Sequence, residues 1–229
     1  MKGLLAVSLL VLAACSGTAI VQTARLNVPD GAFAVEGANP RSWNAPLSFG
    51  PFRTSAVSEG TTRSWLVDTG VLELAKSDQA YRMVLEGETG RTTIECHTRE
   101  LVAGRSGVFV QASLGQAPLL VCGLERGEYR SVLALTRSGK GEPSLVGELR
   151  QIGGTTYDIR SLHRAVGSVL PTGEPLGFEI TRDESALAVV ETANRGRVWI
   201  DKDAPNREDF AAAAAALLLF REPDAGTVD

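Results

Sequence analysis

From Trp65 onward the chain carries apolar residues at every second position, over short runs. Tyr81, Met83 and Leu85 alternate with Arg82, Val84 and Glu86, and Tyr129, Ser131, Leu133 and Leu135 form one row of YRSVLALT. Leu176, Phe178 and Ile180 alternate with Gly177, Glu179 and Thr181; Val198 and Ile200 alternate with Arg197, Trp199 and Asp201. A strand points successive side chains to opposite faces, so this period predicts half-buried antiparallel strands. The stretches EGETGR, RSGKGE, IGGT and TANRGR fall between the runs and supply turns. Segments near residues 65, 72, 81, 93, 109, 120, 132, 147, 157, 167, 178, 188 and 198 make about a dozen strands. SFGPFRTSAVSEGTTRSW, with Gly, Pro, Ser and Thr throughout, reads as a long loop.

The alternation stops at FAAAAAALLLF, from Phe210 to Phe220. Asn206 or Asp203 is placed to cap a helix, Pro205 to open its first turn, and Glu208 with Asp209 to complement the positive dipole end. Ala and Leu are the strongest helix formers, so a helix is predicted over about 206–220. Its eleven apolar residues rise about 16 Å, roughly half a bilayer core, so it does not cross a membrane. A helix apolar on every side must be surrounded by protein. A barrel of about eight strands fills itself with side chains, whereas about a dozen strands leave a lumen that a narrow Ala-rich helix suits. The expected fold is therefore mainly β: an antiparallel barrel of about 12 strands around a buried C-terminal helix. The alternative is a β-sandwich with the helix docked on one face, which would turn one side of an uncharged helix to water.

GTTYDIRSLH, then PLGFEITRDESALAVVETANRGRVWID, then the Ala/Leu helix resemble the last part of the tubby-like fold. That fold is shared by tubby, phospholipid scramblases and plant LURP-one proteins. The resemblance covers about residues 144 to 220, with Gly153-Gly154 before Tyr157 and the apolar helix as its best points. It implies a barrel wrapped around a hydrophobic helix. It carries over no site, because the basic residues with which tubby binds phosphoinositides do not map onto this chain.

The N-terminus, MKGLLAVSLLVLAACSG, changes the picture from shape to address. Lys2 gives a short positive region, and Leu4 to Leu12 an apolar core far shorter than the roughly 20 residues of a spanning helix. Leu12-Ala13-Ala14-Cys15 then resembles a bacterial lipoprotein lipobox. The resemblance implies that the Cys15 thiol receives a diacylglycerol, that the bond before it is cut, and that the new amino group is acylated, commonly with palmitate. Ser16, a residue other than Asp after the Cys, implies the outer membrane, facing the periplasm. The expected organisation is a signal peptide over 1–14, a lipidated N-terminus, tether and entry segment over 15–45, and one β-rich domain over 46–229. The mature chain of about 215 residues is ordinary for a single barrel or sandwich. A formal charge of -4 and the lack of a dense basic run argue against nucleic acid as a partner.

With Cys15 assigned to lipid, Cys96 and Cys122 remain as an even pair in an oxidising compartment, and they predict a disulfide. A redox or metal pair with His97 is the alternative, but adjacent residues of a strand face opposite ways. His97 and His163, the two histidines, are expected at the surface. Asp158, Glu179, Asp183 and Glu184 could pair as carboxylates, yet their spacing sets no common face, so they are expected in solvent. No G-x-S-x-G elbow is present, and SGKGEPS lacks the spacing of a phosphate loop. Trp43, Trp65 and Trp199 are available for a ligand surface or for the core. No catalytic residue, cofactor or metal is expected.

Three functions follow as expectations. The first is a membrane-anchored periplasmic lipoprotein, a non-enzymatic binding or envelope-support module with an envelope protein or lipid as partner. The second is a carrier of lipid or a small hydrophobic ligand, which needs an open cavity. The third is an envelope hydrolase, which needs a cleft joining His163 or His97 to two carboxylates or a Ser.

Overall fold

The structure, a computed structural model, describes residues 25–37, 45–59, 79–98, 118–138, 144–168, 170–193 and 195–221. Cys15, Trp43, Trp65 and the strands predicted near 65, 72 and 109 lie outside these residues. Among the described residues the alternating runs are strands. The long ones are β6 (Gln79–Gly87), β7 (Gly90–Thr98), β8 (Leu120–Arg126), β9 (Tyr129–Arg137), β10 (Leu145–Gln151) and β11 (Thr156–Leu162). After the two-residue β12 (Arg164–Ala165) come β13 (Gly177–Arg182), β14 (Ser185–Glu191) and β15 (Arg197–Ile200). Five short strands precede them: β1 (Arg25–Leu26), β2 (Phe33–Ala34), β3 (Ser48–Phe49), β4 (Phe52–Thr54) and β5 (Ser58–Glu59). The long loop expected around 48–59 is thus corrected. Leu47, Phe49, Phe52, Thr54 and Val57 are buried there, and burial of these side chains overrides the loop-like composition.

Twelve strands follow one another in a single antiparallel sheet, in the order β2-β15-β14-β13-β11-β10-β9-β8-β7-β6-β4-β3, with β5 also on β6. The sheet is nearly closed into a barrel. Its two ends meet where Glu36 and Ser48 exchange backbone hydrogen bonds of 2.9 and 3.0 Å. Gly37 makes this seam feasible: its φ is +85, and a Cβ there would sit 1.9 Å from the Pro46 carbonyl oxygen. A separate parallel pair joins β1 to β12, with Arg25 opposite Arg164 and Leu26 opposite Ala165.

The helix α1 (Arg207–Leu219) runs inside this wall. Phe210 through Leu217 are 0% exposed, so no side of the helix meets water. It contacts β6, β7, β8, β14 and β15, and aromatic pairs tie it to β11 and β13: Phe210 stands edge-on to Tyr157 at 4.9 Å, and Phe220 to Phe178 at 6.4 Å. The inward rows Tyr81/Met83/Leu85, Leu133/Leu135, Phe178/Ile180 and Val198/Ile200 join the helix in one core cluster. A helix docked outside a sandwich is excluded by this enclosure. The capping expectation needs correction. Asn206 sits at the N-cap in a left-handed conformation with no side-chain bond; its carbonyl accepts from Asp209 N instead, and Pro205 lies before the first turn.

Candidate functional site

Cys96 and Cys122 occupy directly opposed positions of β7 and β8, 4.0 Å apart at Cα, and form a disulfide. Both are 0% exposed and point into the barrel, in the core cluster that holds α1. His97 points the other way, as a strand requires. It is nonetheless buried at 6% exposure, so the surface placement expected for it is corrected. Its Nε2 lies 3.7 Å from Glu95 Oε1, its Nδ1 has no hydrogen-bond partner among the described residues, and burial lowers its pKa. Burial also raises Glu95, against the pull of Arg82 and with a push from Glu125. A neutral imidazole beside one carboxylate is too small a donor set for a metal.

His163 is also buried, at 1% exposure, which corrects the second surface assignment. Ser161 and His163 lie two positions apart at the end of β11, hence on one side of the strand. Leu145 N donates to Ser161 Oγ at 2.7 Å, and Ser161 Oγ lies 2.8 Å from His163 Nε2. His163 Nδ1 lies 3.1 Å from the Thr172 carbonyl, which can only accept. The proton is therefore on Nδ1, and the serine hydroxyl donates to Nε2. A Ser donating to a His is the starting geometry of an activated nucleophile. Here the third member is a main-chain carbonyl, and Ser161 is itself only 5% exposed. The arrangement works as a latch: it ties the start of β10 to the end of β11, and Thr172 closes it with N–H and hydroxyl bonds to the His163 carbonyl at 2.6 and 2.9 Å.

The barrel end at the start of α1 gathers the other buried polar groups. Asp209 accepts from Ser131 Oγ and Gln151 Nε2, both at 2.9 Å, with Arg126 Nη2 at 3.6 Å. Glu208 accepts from Thr89 N at 3.0 Å. Burial pushes the Glu208 carboxyl up, but the Thr89 hydrogen bonds and the Arg126 charge pull it further down, below the ordinary range. At the opposite end Arg221 Nη1 donates to the Leu218 and Phe220 carbonyls, and Tyr81 OH donates to Ala216 O at 3.0 Å. Acids at the helix start and a cation at its end oppose the macrodipole at both poles. These groups fix which way the helix lies in the barrel.

The carboxylates singled out from sequence are dispersed. Asp158 is exposed, and Glu179 pairs with Arg160 across β11 and β13. Asp183 and Glu184 form the two-residue turn between β13 and β14, both with positive φ of 49 and 66, as a type I′ hairpin demands. Trp199 is half-buried on the outer wall, packed with Val28 and Leu176 against Leu162 and Val189. Among the described residues no group of three His, Cys, Asp or Glu could hold a metal ion, and no helix is long and apolar enough to cross a membrane. Sequence reasoning missed the Ser161–His163 pair, for which the S-x-H spacing on a predicted strand was the available signal. Set against family models, curated proteins and solved structures, the chain matches none.

Proposed function

We propose that this chain is a lipid-anchored lipoprotein of the bacterial envelope, held at the outer membrane through Cys15 and facing the periplasm. Its barrel is a non-enzymatic module that binds an envelope partner or supports the envelope. The observation that carries this reading is the interior filled by the chain's own helix, from Phe210 to Leu217 at 0% exposure. A bore occupied in this way gives a substrate or a carried lipid no place to lie, which weighs against the carrier reading. The sealed Ser161–His163 latch weighs against the hydrolase. The Cys96–Cys122 disulfide suits an exported chain. A barrel around a hydrophobic helix is also what tubby-like kinship would require, and we propose that kinship for residues 144–220.

Metabolic labelling with a palmitate analogue in a bacterial host tests the anchor. The wild-type chain is expected to take up label and float with membranes, and the Cys15→Ala chain to do neither. Label on the Cys15→Ala chain would overturn the anchor. Turnover of an ester, glycan or peptide substrate by the purified chain, abolished by Ser161→Ala, would overturn the non-enzymatic reading.

A further inference from the structure

The connection after β12 displays two large apolar side chains to water, Val166 at 71% and Leu170 at 74% exposure. It is a built excursion. Its base is closed by the His163–Thr172 bonds described above, Ser168 N donates to Ala165 O at 3.1 Å, and Ser168 Oγ bonds both the N–H and the carbonyl of Leu170. The bonds at Ala165, Ser168 and Leu170 meet part of the ordering cost of these described residues before any partner arrives.

The place of this excursion suggests the partner. β12 is the strand that pairs with β1, and Arg25, the first described residue, stands opposite Arg164. Nine residues lie between Cys15 and Arg25 in the sequence. Fully extended, the span from Cys15 to Arg25 is at most about 35 Å, so a bilayer holding acyl chains on Cys15 lies within that distance of Arg25, which stands beside β12. Of the other exposed large apolar residues among those described, Val146 lies on β10 at 37% exposure, and Tyr129 and Ile152 sit in or beside the turns at the far end of β9 and β11. That end is a seven-residue strand away, about 20 Å more. Charge points the same way. At the β12 end lie Arg164, Arg195 and Arg221 with Glu36 and Glu174, Glu191 being paired with Arg197; at the other end Asp183 and Asp203 are paired with Arg182 and Lys202, and Glu184 adds a further acid. Basic residues beside an apolar tip suit an anionic phospholipid surface.

We propose that Val166 and Leu170 insert into the interface of the bilayer that holds the Cys15 acyl chains, forming a second contact that orients the barrel with its β12 end toward the membrane. The inference rests on the lipoprotein reading. The Ser161–His163 latch then has a use, since it holds the base of the inserting tip.

The test uses the full acylated chain in vesicles of phosphatidylethanolamine and phosphatidylglycerol. Leu170→Cys, Val166→Cys or Ile152→Cys supplies one free thiol for an environment-sensitive dye, the native cysteines being acylated or in the disulfide. Brominated lipid is expected to quench the dye at 170 and 166 at least threefold more than at 152. Equal quenching at 152 and 170, or none at 170, overturns the insertion while leaving the anchor intact. Mass spectrometry of the same preparation reads the anchor independently: absence of an acyl group on Cys15 sinks the lipoprotein reading and this inference with it. Unchanged quenching at 170 when Val166→Asp is added would also overturn the proposal, by assigning the contact to another surface.

Discussion

Enclosure of α1 on all sides makes a sharp demand on its six alanines. Consecutive residues of a helix point about 100° apart, so Ala211 to Ala216 sample the whole circumference, and all six are 0% exposed. Replacing any one with Leu adds three carbons to a filled interior, where overpacking costs about 1–3 kcal/mol. A helix lying on the outside of a sheet would behave differently. Substitutions on its free side stay within about 0.5 kcal/mol, and these would recur three or four residues apart. Urea unfolding of the six single Ala→Leu variants reads the difference. With a slope of about 2 kcal/mol per molar, a 2 kcal/mol loss lowers the midpoint by about 1 M. Midpoints lowered at all six positions are expected. Unchanged midpoints at Ala211 and Ala215 together, or at Ala212 and Ala216, would refute the enclosure.

Removal of the hydroxyl in Tyr81→Phe should cost about 1 kcal/mol in the same assay, because Ala216 O keeps its bond from Phe220 N at 3.1 Å and is not left orphaned. A loss above 3 kcal/mol would show that the hydroxyl does more than tie β6 to the helix end. Acid should destabilise the fold by two routes. Burial lowers the His97 pKa, so the unfolded chain takes its proton first and stability falls as pH drops below about 6.5; Glu208, depressed by Thr89 and Arg126, adds a further loss as pH falls through its folded value. Glu95, raised by burial, acts in the opposite sense and favours the fold at low pH. Unfolding midpoints across pH should show Glu208→Gln flattening the acid limb; an acid limb as steep in Glu208→Gln as in the wild-type chain would contradict the assignment. Finally, a disulfide closing 26 residues contributes about 3 kcal/mol, and because Cys96 and Cys122 are 0% exposed, a thiol reductant should cleave it only as fast as the chain unfolds. Rapid reduction in native buffer would place the pair near water instead.

What could be read from the chain was what one-sided burial writes into it. Tyr81/Met83/Leu85 and Val198/Ile200 alternate because one face meets α1 and the other does not, so their strands were legible residue by residue. The helix was legible for the opposite reason: with no polar face, Phe210–Phe220 had no outside to occupy. β3 and β4 were hidden because strands of two or three residues carry no period, and their pairing depends on a seam formed with residues far along the chain. The Asp183-Glu184 turn was hidden because it uses no glycine at positions where φ is positive. Both histidines looked like surface residues among charged neighbours in ECHTRE and RSLHRAV. Their burial is set by contacts that sequence spacing does not encode, such as the Leu145 N–H that completes the latch.

Native-state hydrogen exchange of the α1 amides tests the central claim most directly. Barrel and helix share one core, so amides from Ala214 to Leu219 should exchange only through global unfolding, with free energies equal to that from urea and falling equally with denaturant. Exchange of these amides through a smaller, denaturant-independent opening, while the strands stay protected, would mean that the helix leaves its barrel without unfolding it.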